Sequence, residues 1–319
     1  MDKKALILGI SGQDGAYLSK FLVTKGYTVV GTTRKFNSSS IENIARLGIS
    51  EELKIIEFSA SSPKNVKALL ENVQPDEIYN LASVSSVSLS YNDPLNTFNS
   101  IVSNTLNILN SILELGLNTK FYTSSSAEIF GNKETSVADE QSTFAPVSPY
   151  AVGKASSNFV VDLYRSAYGI FACTGIMFNH ESPLRPPTFV TRKIVDYIRA
   201  VEAGNCSGPL NLGDLSVKRD WGWAPEYVEA MWRMLAHDEP MDYVVATGVS
   251  QTLEELVNTM FSMANLQWQD YVEVDKNLYR KGESKYSIGC YARAQKNLNW
   301  QPKVVGEKVA EKLYAGSYY

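Results

Sequence analysis

The first 180 or so residues alternate short apolar runs with amphipathic stretches of helical period. Ala5-Leu6-Ile7-Leu8-Gly9 is a continuous apolar run of the kind that forms a strand buried on both faces. A helical pattern follows over residues 15–25, with Leu18, Phe21 and Leu22 on one face and Gly26 as its stop. Further strands are expected at residues 28–32, 53–58, 77–81, 120–124 and 171–178. Helices are expected between them at about 63–73, 94–115 and 149–168. Strands alternating with helices of this length predict a parallel sheet covered on both faces.

Beyond residue 180 the pattern becomes irregular. Prolines cluster at 183, 186 and 187, and tryptophans stand at 221, 223, 232, 268 and 300. This predicts a smaller unit over the carboxyl edge of the sheet, where ligands of doubly wound folds bind. The expected division is 1–178 for a dinucleotide-binding domain and 179–319 for a substrate-binding domain. The boundary is soft, and residues 243–247 are a candidate segment to rejoin the sheet. The fold class is therefore α/β, a Rossmann-type doubly wound parallel sheet with a smaller C-terminal domain.

Composition narrows the function. The chain has 319 residues, 44% hydrophobic and 20% charged, enough for a sizeable core and unlike a disordered or fibrous protein. Its net charge of −4 offers no basic stripe for nucleic acid. No apolar run approaches the ~20 residues that span a bilayer. The first residues enter a strand-like run that is short and glycine-bounded, unlike a signal peptide, so a soluble cytoplasmic protein is expected. Three cysteines without CxxC and two histidines leave little for a disulfide framework or a metal centre, and no metal is expected. There is no GxSxG elbow. The remaining chemistry rests on carboxylates, tyrosine, lysine or a cofactor.

Gly9, Gly12 and Gly15 stand between the first strand and first helix as GxxGxxG. Glycines there permit a tight turn and let a pyrophosphate sit on the helix N-terminus, although an ordinary glycine-rich turn has similar spacing. Their position at strand one favours the dinucleotide site. The second strand ends in Thr32-Thr33-Arg34-Lys35 rather than the acidic residue that usually accepts from the ribose 2′-hydroxyl of NAD. Two cations suit a 2′-phosphate, so NADP is the expected cofactor.

Tyr150 and Lys154 form YxxxK, a spacing that chance readily produces in a chain with 18 tyrosines. Context adds weight. Ser148-Pro149 reads as an N-cap followed by proline at the first helical position, which puts Tyr150 in the first turn and Lys154 one turn on. The expectation is that the ammonium lowers the phenol's pKa and makes Tyr150 a usable base. The fifth strand runs into Ser124-Ser125-Ser126-Ala127-Glu128, where hydroxyls can bond a reacting alcohol and Glu128 can act as acid or base.

In these residues the chain resembles the extended short-chain dehydrogenase/reductase superfamily and, within it, the GDP-mannose 4,6-dehydratase branch. The glycine and YxxxK motifs mark the superfamily. The branch is marked by Phe178-Asn179-His180-Glu181-Ser182-Pro183, Phe189-Val190-Thr191-Arg192-Lys193 and Lys218-Arg219-Asp220-Trp221-Gly222. The resemblance implies Ser126, Glu128, Tyr150 and Lys154 as catalytic residues. It implies cofactor contacts from Gly9, Gly12, Gln13, Asp14, Gly15, Arg34, Leu81, Ser83, Ser85, Tyr150, Lys154, His180 and Arg185. For the nucleotide sugar it implies Ser126, Asn179, Val190, Lys193, Arg219, Arg280 and Glu283. The chain departs from the family pattern at Val84, Ala127, Val147, Ser59 and Lys285.

The implied activity is loss of water from GDP-mannose, or a related GDP-sugar, to give GDP-4-keto-6-deoxymannose by internal hydride transfer through bound NADP. That makes the protein a lyase, and a homo-oligomer, dimer or tetramer, is expected. The alternatives are a GDP-4-keto-6-deoxymannose reductase, a related nucleotide-sugar dehydratase or epimerase, or an NADP-binding regulatory protein that does no chemistry.

Overall fold

The chain opens with β1 (Lys4–Leu8), every residue of which after Lys4 is buried, and α1 (Gln13–Thr24) returns over it. This is a computed structural model, which describes residues 3–132, 137–279, 282 and 284–319. The same alternation continues through β2 (Thr28–Thr33), α2 (Glu42–Arg46), β3 (Leu53–Glu57), α3 (Pro63–Val73) and β4 (Glu77–Asn80). Next come α4 (Val87–Asn92), α5 (Pro94–Phe98) and α6 (Asn104–Leu115), then β5 (Lys120–Ser126), α7 (Pro149–Tyr168) and β6 (Ala172–Met177). The sequence predicts one helix over 94–115. The structure instead joins α5 to α6 through a π-helical segment, Asn99–Ser103. That segment presents Ile101 and Val102 to Tyr150, and a β-carbon on Gly153 would stand 3.1 Å from the Ile101 side chain. The wider π turn follows from this packing, and such turns often mark functional sites.

After β6 the chain passes through Phe178 into β7 (Asn179–Glu181), which leaves the main sheet. It proceeds through α8 (Val190–Glu202), β8 (Leu210–Leu212), β9 (Lys218–Trp223) and α9 (Ala224–Ala236). The expected return to the sheet occurs here: β10 (Tyr243–Val245) pairs in parallel with β6. The rest is β11 (Ser250–Thr252), α10 (Leu253–Met263), β12 (Val272–Val274), α11 (Ala292–Leu298) and α12 (Glu307–Ala315).

The main sheet has seven strands in the order β10-β6-β5-β4-β1-β2-β3, and every pairing is parallel. The chain builds outward from β1 through β2 and β3, then crosses to β4 on the other side of β1. The carboxyl ends of β1 and β4 are thus the switch point, where an open α/β sheet leaves a crevice. One apolar core lies under α1 and α9, with Ala16, Leu18, Leu22, Tyr227 and Met231 fully or nearly fully buried. Another lies under α3, α6 and α7, around Val66, Leu109, Ile112 and Val161. A third core joins α8, α10 and α12 around Ile198, Val257 and Val309, and supports the three-stranded sheet β11-β9-β7.

A cleft between the sheet edge and the C-terminal strands

The site is built from the switch point outward. Gly9 has φ of +87°, and a β-carbon there would press on the Leu81–Ala82 backbone at 3.0 Å. At Gly15 a β-carbon would stand 2.4 Å from the Gly9 carbonyl, so α1 packs directly on its own turn. Gly12 differs: among the described residues its β-carbon would meet only the Gly9 carbonyl, at 3.6 Å. Gly12 caps α1 without a side-chain bond, leaving the first-turn amides of Gln13, Asp14 and Gly15 without intrahelical partners. This open cradle over unpaired amides fits the pyrophosphate of a dinucleotide.

Asp14 and Gln13 tie that turn to β7. Both Asp14 carboxylate oxygens lie 3.0 Å from Nε2 of His180, and Nδ1 of His180 faces the Phe178 carbonyl at 2.7 Å. Both partners are acceptors, so the ring carries two protons. Burial opposes charge on the two groups, but their mutual attraction prevails: Asp14 is lowered to about 2 and His180 is raised. Gln13 donates to the His180 carbonyl at 3.2 Å and accepts from the Ser182 hydroxyl at 2.8 Å. The His180 ring stacks on Tyr227 at 4.7 Å between centroids.

A cavity of about 520 Å³ opens over the carboxyl ends of β4, β5 and β6. Of the sequence-predicted residues, Asp14, Leu81, Ser83, Ser85, Ser126, Glu128, Tyr150 and Lys154 line it, as do Asn179, His180, Arg185, Val190, Lys193 and Arg219. Ser126 ends β5 and caps a 3-10 turn, Ala127–Phe130, by accepting from the Glu128 amide at 3.3 Å. The Glu128 backbone is therefore held beside the Ser126 hydroxyl. Opposite, Ser148 caps α7 by accepting from the Ala151 amide at 3.1 Å, a bond whose loss costs about 1 kcal/mol.

Tyr150 and Lys154 are both buried on the first turns of α7, and the Lys154 ammonium stands 5.7 Å from the centre of the tyrosine ring. That ammonium donates to the Ser124 carbonyl at 2.6 Å and the Ser83 hydroxyl at 3.1 Å. The expected lowering of the Tyr150 pKa is corrected here. Burial pushes the phenol up to about 12 despite the Ser126 hydroxyl, which pulls it down, and the Glu128 carboxylate adds to the rise. The Lys154 ammonium is itself pushed down to about 8 by burial. Proximity along a helix gave the sign of one effect, whereas desolvation decides the balance.

The far wall comes from the C-terminal strands. Arg219 on β9 is buried and donates to its neighbour's carbonyl, while Lys193 stands exposed on α8. Arg185 pairs with the buried Glu181 at 3.3 Å and lies over the Phe189 ring at 3.8 Å. Sequence reading assigns Glu181 and Phe189 no role beyond their place in the branch motifs, and it does not single out Asn211, Asp214 or Tyr286; all five line the cavity. Their signal lies in long-range packing. Arg280 and Glu283 fall outside the described residues.

Arg34 stands apart from this cavity, on an open hollow of about 430 Å³ at the ends of β2 and β3 with Ser59, Asn65 and Asn72. Of the other departures from the family pattern, Ala127 lines the main cavity. Val147 is exposed, with its carbonyl accepting from Tyr91 at 3.0 Å. The Lys285 carbonyl accepts from the Lys218 amide at 2.8 Å. Val84 lies between Ser83 and Ser85 but does not line the cavity.

Residues 6–313 match the family model described as GDP-mannose 4,6 dehydratase. A GDP-mannose 4,6 dehydratase of Arabidopsis thaliana is 38% identical over 98% of this chain and 86% of its own length. One from Vibrio cholerae is 35% identical over 99% of this chain and 94% of its own. Among solved structures, a UDP-glucose 4-epimerase of Thermotoga maritima superposes with a TM-score of 0.86 at 21% identity, covering 98% of each chain. A dTDP-glucose 4,6-dehydratase of Bacillus anthracis gives 0.85 at 17% identity, over 98% of this chain and 96% of that one. At such identities the structural likeness shows the fold.

Proposed function

The chain belongs to the GDP-mannose 4,6 dehydratase family, and from that premise we propose that it converts GDP-mannose to GDP-4-keto-6-deoxymannose with loss of water. It is an enzyme, a lyase that works through an internal oxidation and reduction. The single observation that carries this is the grouping of Ser126, Glu128, Tyr150 and Lys154 on one cavity whose far wall bears Lys193 and Arg219. A reductase acting on the product shares the fold but is not favoured, because the family model and the curated relatives reported above are dehydratases.

The cradle at Gly12, the amides of Gln13, Asp14 and Gly15, and Leu81, Ser83 and Ser85 suit a nicotinamide dinucleotide, with Arg34 favouring NADP through its 2′-phosphate. When bound, the nicotinamide supplies the two-electron acceptor and donor that an internal redox reaction needs. Tyr150 takes the proton of the sugar's 4-hydroxyl, with the Ser126 hydroxyl holding that oxygen and opposing the rise that burial imposes on the phenol, and Lys154 bracing the cleft through Ser124 and Ser83. Once the 4-position is a ketone, the C5 proton becomes acidic. Glu128 removes it and delivers a proton to the departing C6 hydroxyl. Arg219 and Lys193 hold the diphosphate, and Asn179 and Val190 shape the sugar end. The cavity keeps sugar and protein groups in contact throughout, so no step waits on a second encounter. A cytoplasmic setting, expected from the pattern of the sequence, and a dimer or tetramer, expected from the family resemblance, belong to the same proposal.

The test is to incubate purified protein with GDP-mannose, without added cofactor, and weigh the product. Loss of one water without net NADPH consumption supports dehydration. Unchanged GDP-mannose in protein loaded with NADP, or stoichiometric NADPH consumption, argues against it.

A further inference from the structure

Asp220 lies on β9 between Arg219 and Trp221, both of which line the cavity, while its own carboxylate turns away and is fully buried. Four neutral donors converge on it. Oδ1 accepts from the Thr247 amide at 2.9 Å and the Thr247 hydroxyl at 2.6 Å. Oδ2 accepts from the Gly248 amide at 3.0 Å and the Gly289 amide at 3.2 Å. These donors belong to different parts of the molecule. Thr247 and Gly248 follow β10, the edge strand of the main sheet, and Gly289 ends the 284–288 segment. Ser284, Tyr286, Ser287 and Ile288 of that segment line the same cavity as Arg219. The segment also exchanges backbone bonds with β9, from Lys218 to Lys285 at 2.8 Å and from Ser287 to Lys218 at 3.1 Å. Space at the junction is fully used: a β-carbon on Gly289 would stand 2.4 Å from the Ala246 methyl and 2.7 Å from the Phe178 ring.

Only an acceptor with lone pairs on both oxygens satisfies four converging donors. A carboxylate at 220 thus fixes β9, the end of β10 and the 284–288 wall in one arrangement. Severing it loosens the join of β9, the end of β10 and Gly289 without touching Ser126, Glu128, Tyr150 or Lys154, while the 284–288 segment keeps its backbone bonds to Lys218 and Ala138. We propose that Asp220 is a positioning residue for nucleotide-sugar binding, holding Arg219 and the 284–288 wall at the spacing the ligand requires. This rests on the proposed function only for the identity of the ligand.

The experiment compares Asp220→Asn with the unmodified chain. An amide must turn its NH2 toward one pair of these donors, leaving at least one backbone N–H unsatisfied, since only the Thr247 hydroxyl can turn to accept. Hydrogen exchange in the ligand-free protein should quicken at the amides of Thr247, Gly248, Gly289 and the 284–288 segment, and not at those of α7. The Kd for GDP and the KM for GDP-mannose should rise about tenfold, the change that ~1.4 kcal/mol produces, with kcat at saturation and the affinity for NADPH kept. Unchanged exchange in those segments, or a fall in kcat at constant KM, overturns the proposal. Should Asp220→Asn fail to fold, Thr247→Val removes one donor and leaves the carboxylate. It should raise the Kd for GDP by a smaller factor in the same direction, and an unchanged Kd counts against the tie. If the unmodified chain neither binds GDP nor turns over GDP-mannose, the proposed function fails, while the exchange measurement still decides the tie.

Discussion

The Asp14 carboxylate and the His180 imidazolium join the turn after β1 to the strand after β6, at 3.0 Å from Nε2 to each oxygen. Because both nitrogens of His180 face acceptors, the pair is ionic rather than a neutral hydrogen bond. His180 has a raised pKa, so its contribution to stability is complete below about 6.5, its ordinary value, and is lost as pH rises through the folded-state value. Asp14 is lowered to about 2, so its contribution is complete above its ordinary value near 3.8 and is lost as pH falls toward 2. Asp14→Asn should therefore lower stability by about 3 kcal/mol between those limits. Denaturant titrations at a series of pH values should show the difference shrinking on the alkaline side. A constant difference from acid to alkaline pH would mean that the pair carries no charge.

Gly12 and Gly15 should separate cofactor binding from folding. Gly15→Ala forces a β-carbon against the Gly9 carbonyl and the Ile10 backbone and should destabilise by about 1–3 kcal/mol. Gly12→Ala meets no close neighbour among the described residues, so its melting temperature should hold while affinity for NADPH falls about tenfold or more. Calorimetry finding full NADPH affinity in Gly12→Ala places the pyrophosphate elsewhere.

Arg34 stands exposed beside Ser59, Asn65 and Asn72, where a 2′-phosphate gains a charged partner and a 2′-hydroxyl gains little. The unmodified protein should bind NADP(H) more tightly than NAD(H). Arg34→Ala should narrow that gap about tenfold, the worth of a charged hydrogen bond. Equal affinities for the two dinucleotides in the unmodified chain remove this assignment.

Glu128 and Tyr150 should fail at different steps. Glu128→Gln keeps the size and loses the base, so C4 is still oxidised and bound NADPH fluorescence still forms, without water loss and with little exchange of C5 with deuterated solvent. Tyr150→Phe should show neither signal. Since the Tyr150 phenol is held up at about 12, turnover limited by this proton transfer should rise with pH on the alkaline side. Normal product from Glu128→Gln would require another base.

The strands of the main sheet and the frame of α7 were legible because local signals coincide with tertiary need. Residues 5–8 are apolar throughout because β1 is central, and Ser148-Pro149 both starts α7 and aims Tyr150 into the cleft. The π segment at Asn99–Ser103 was not legible, since its turn answers to Tyr150 and Gly153 some fifty residues on. The Tyr150 pKa was misjudged for the same reason: spacing along α7 reveals the ammonium but not the burial. Likewise the Lys-Arg-Asp-Trp run marks a site in sequence, yet only the folded chain shows Arg219 facing the cavity and Asp220 facing Thr247, Gly248 and Gly289.

The central claim is that the oxidation at C4 and the reduction at C6 occur within one bound sugar. It is tested most directly by supplying GDP-mannose deuterated at C4 and locating the label by NMR after turnover without added cofactor. The account predicts deuterium at C6 of the 4-keto product, with none released to solvent. Deuterium lost from the sugar, or found on NADPH in solution, would contradict it.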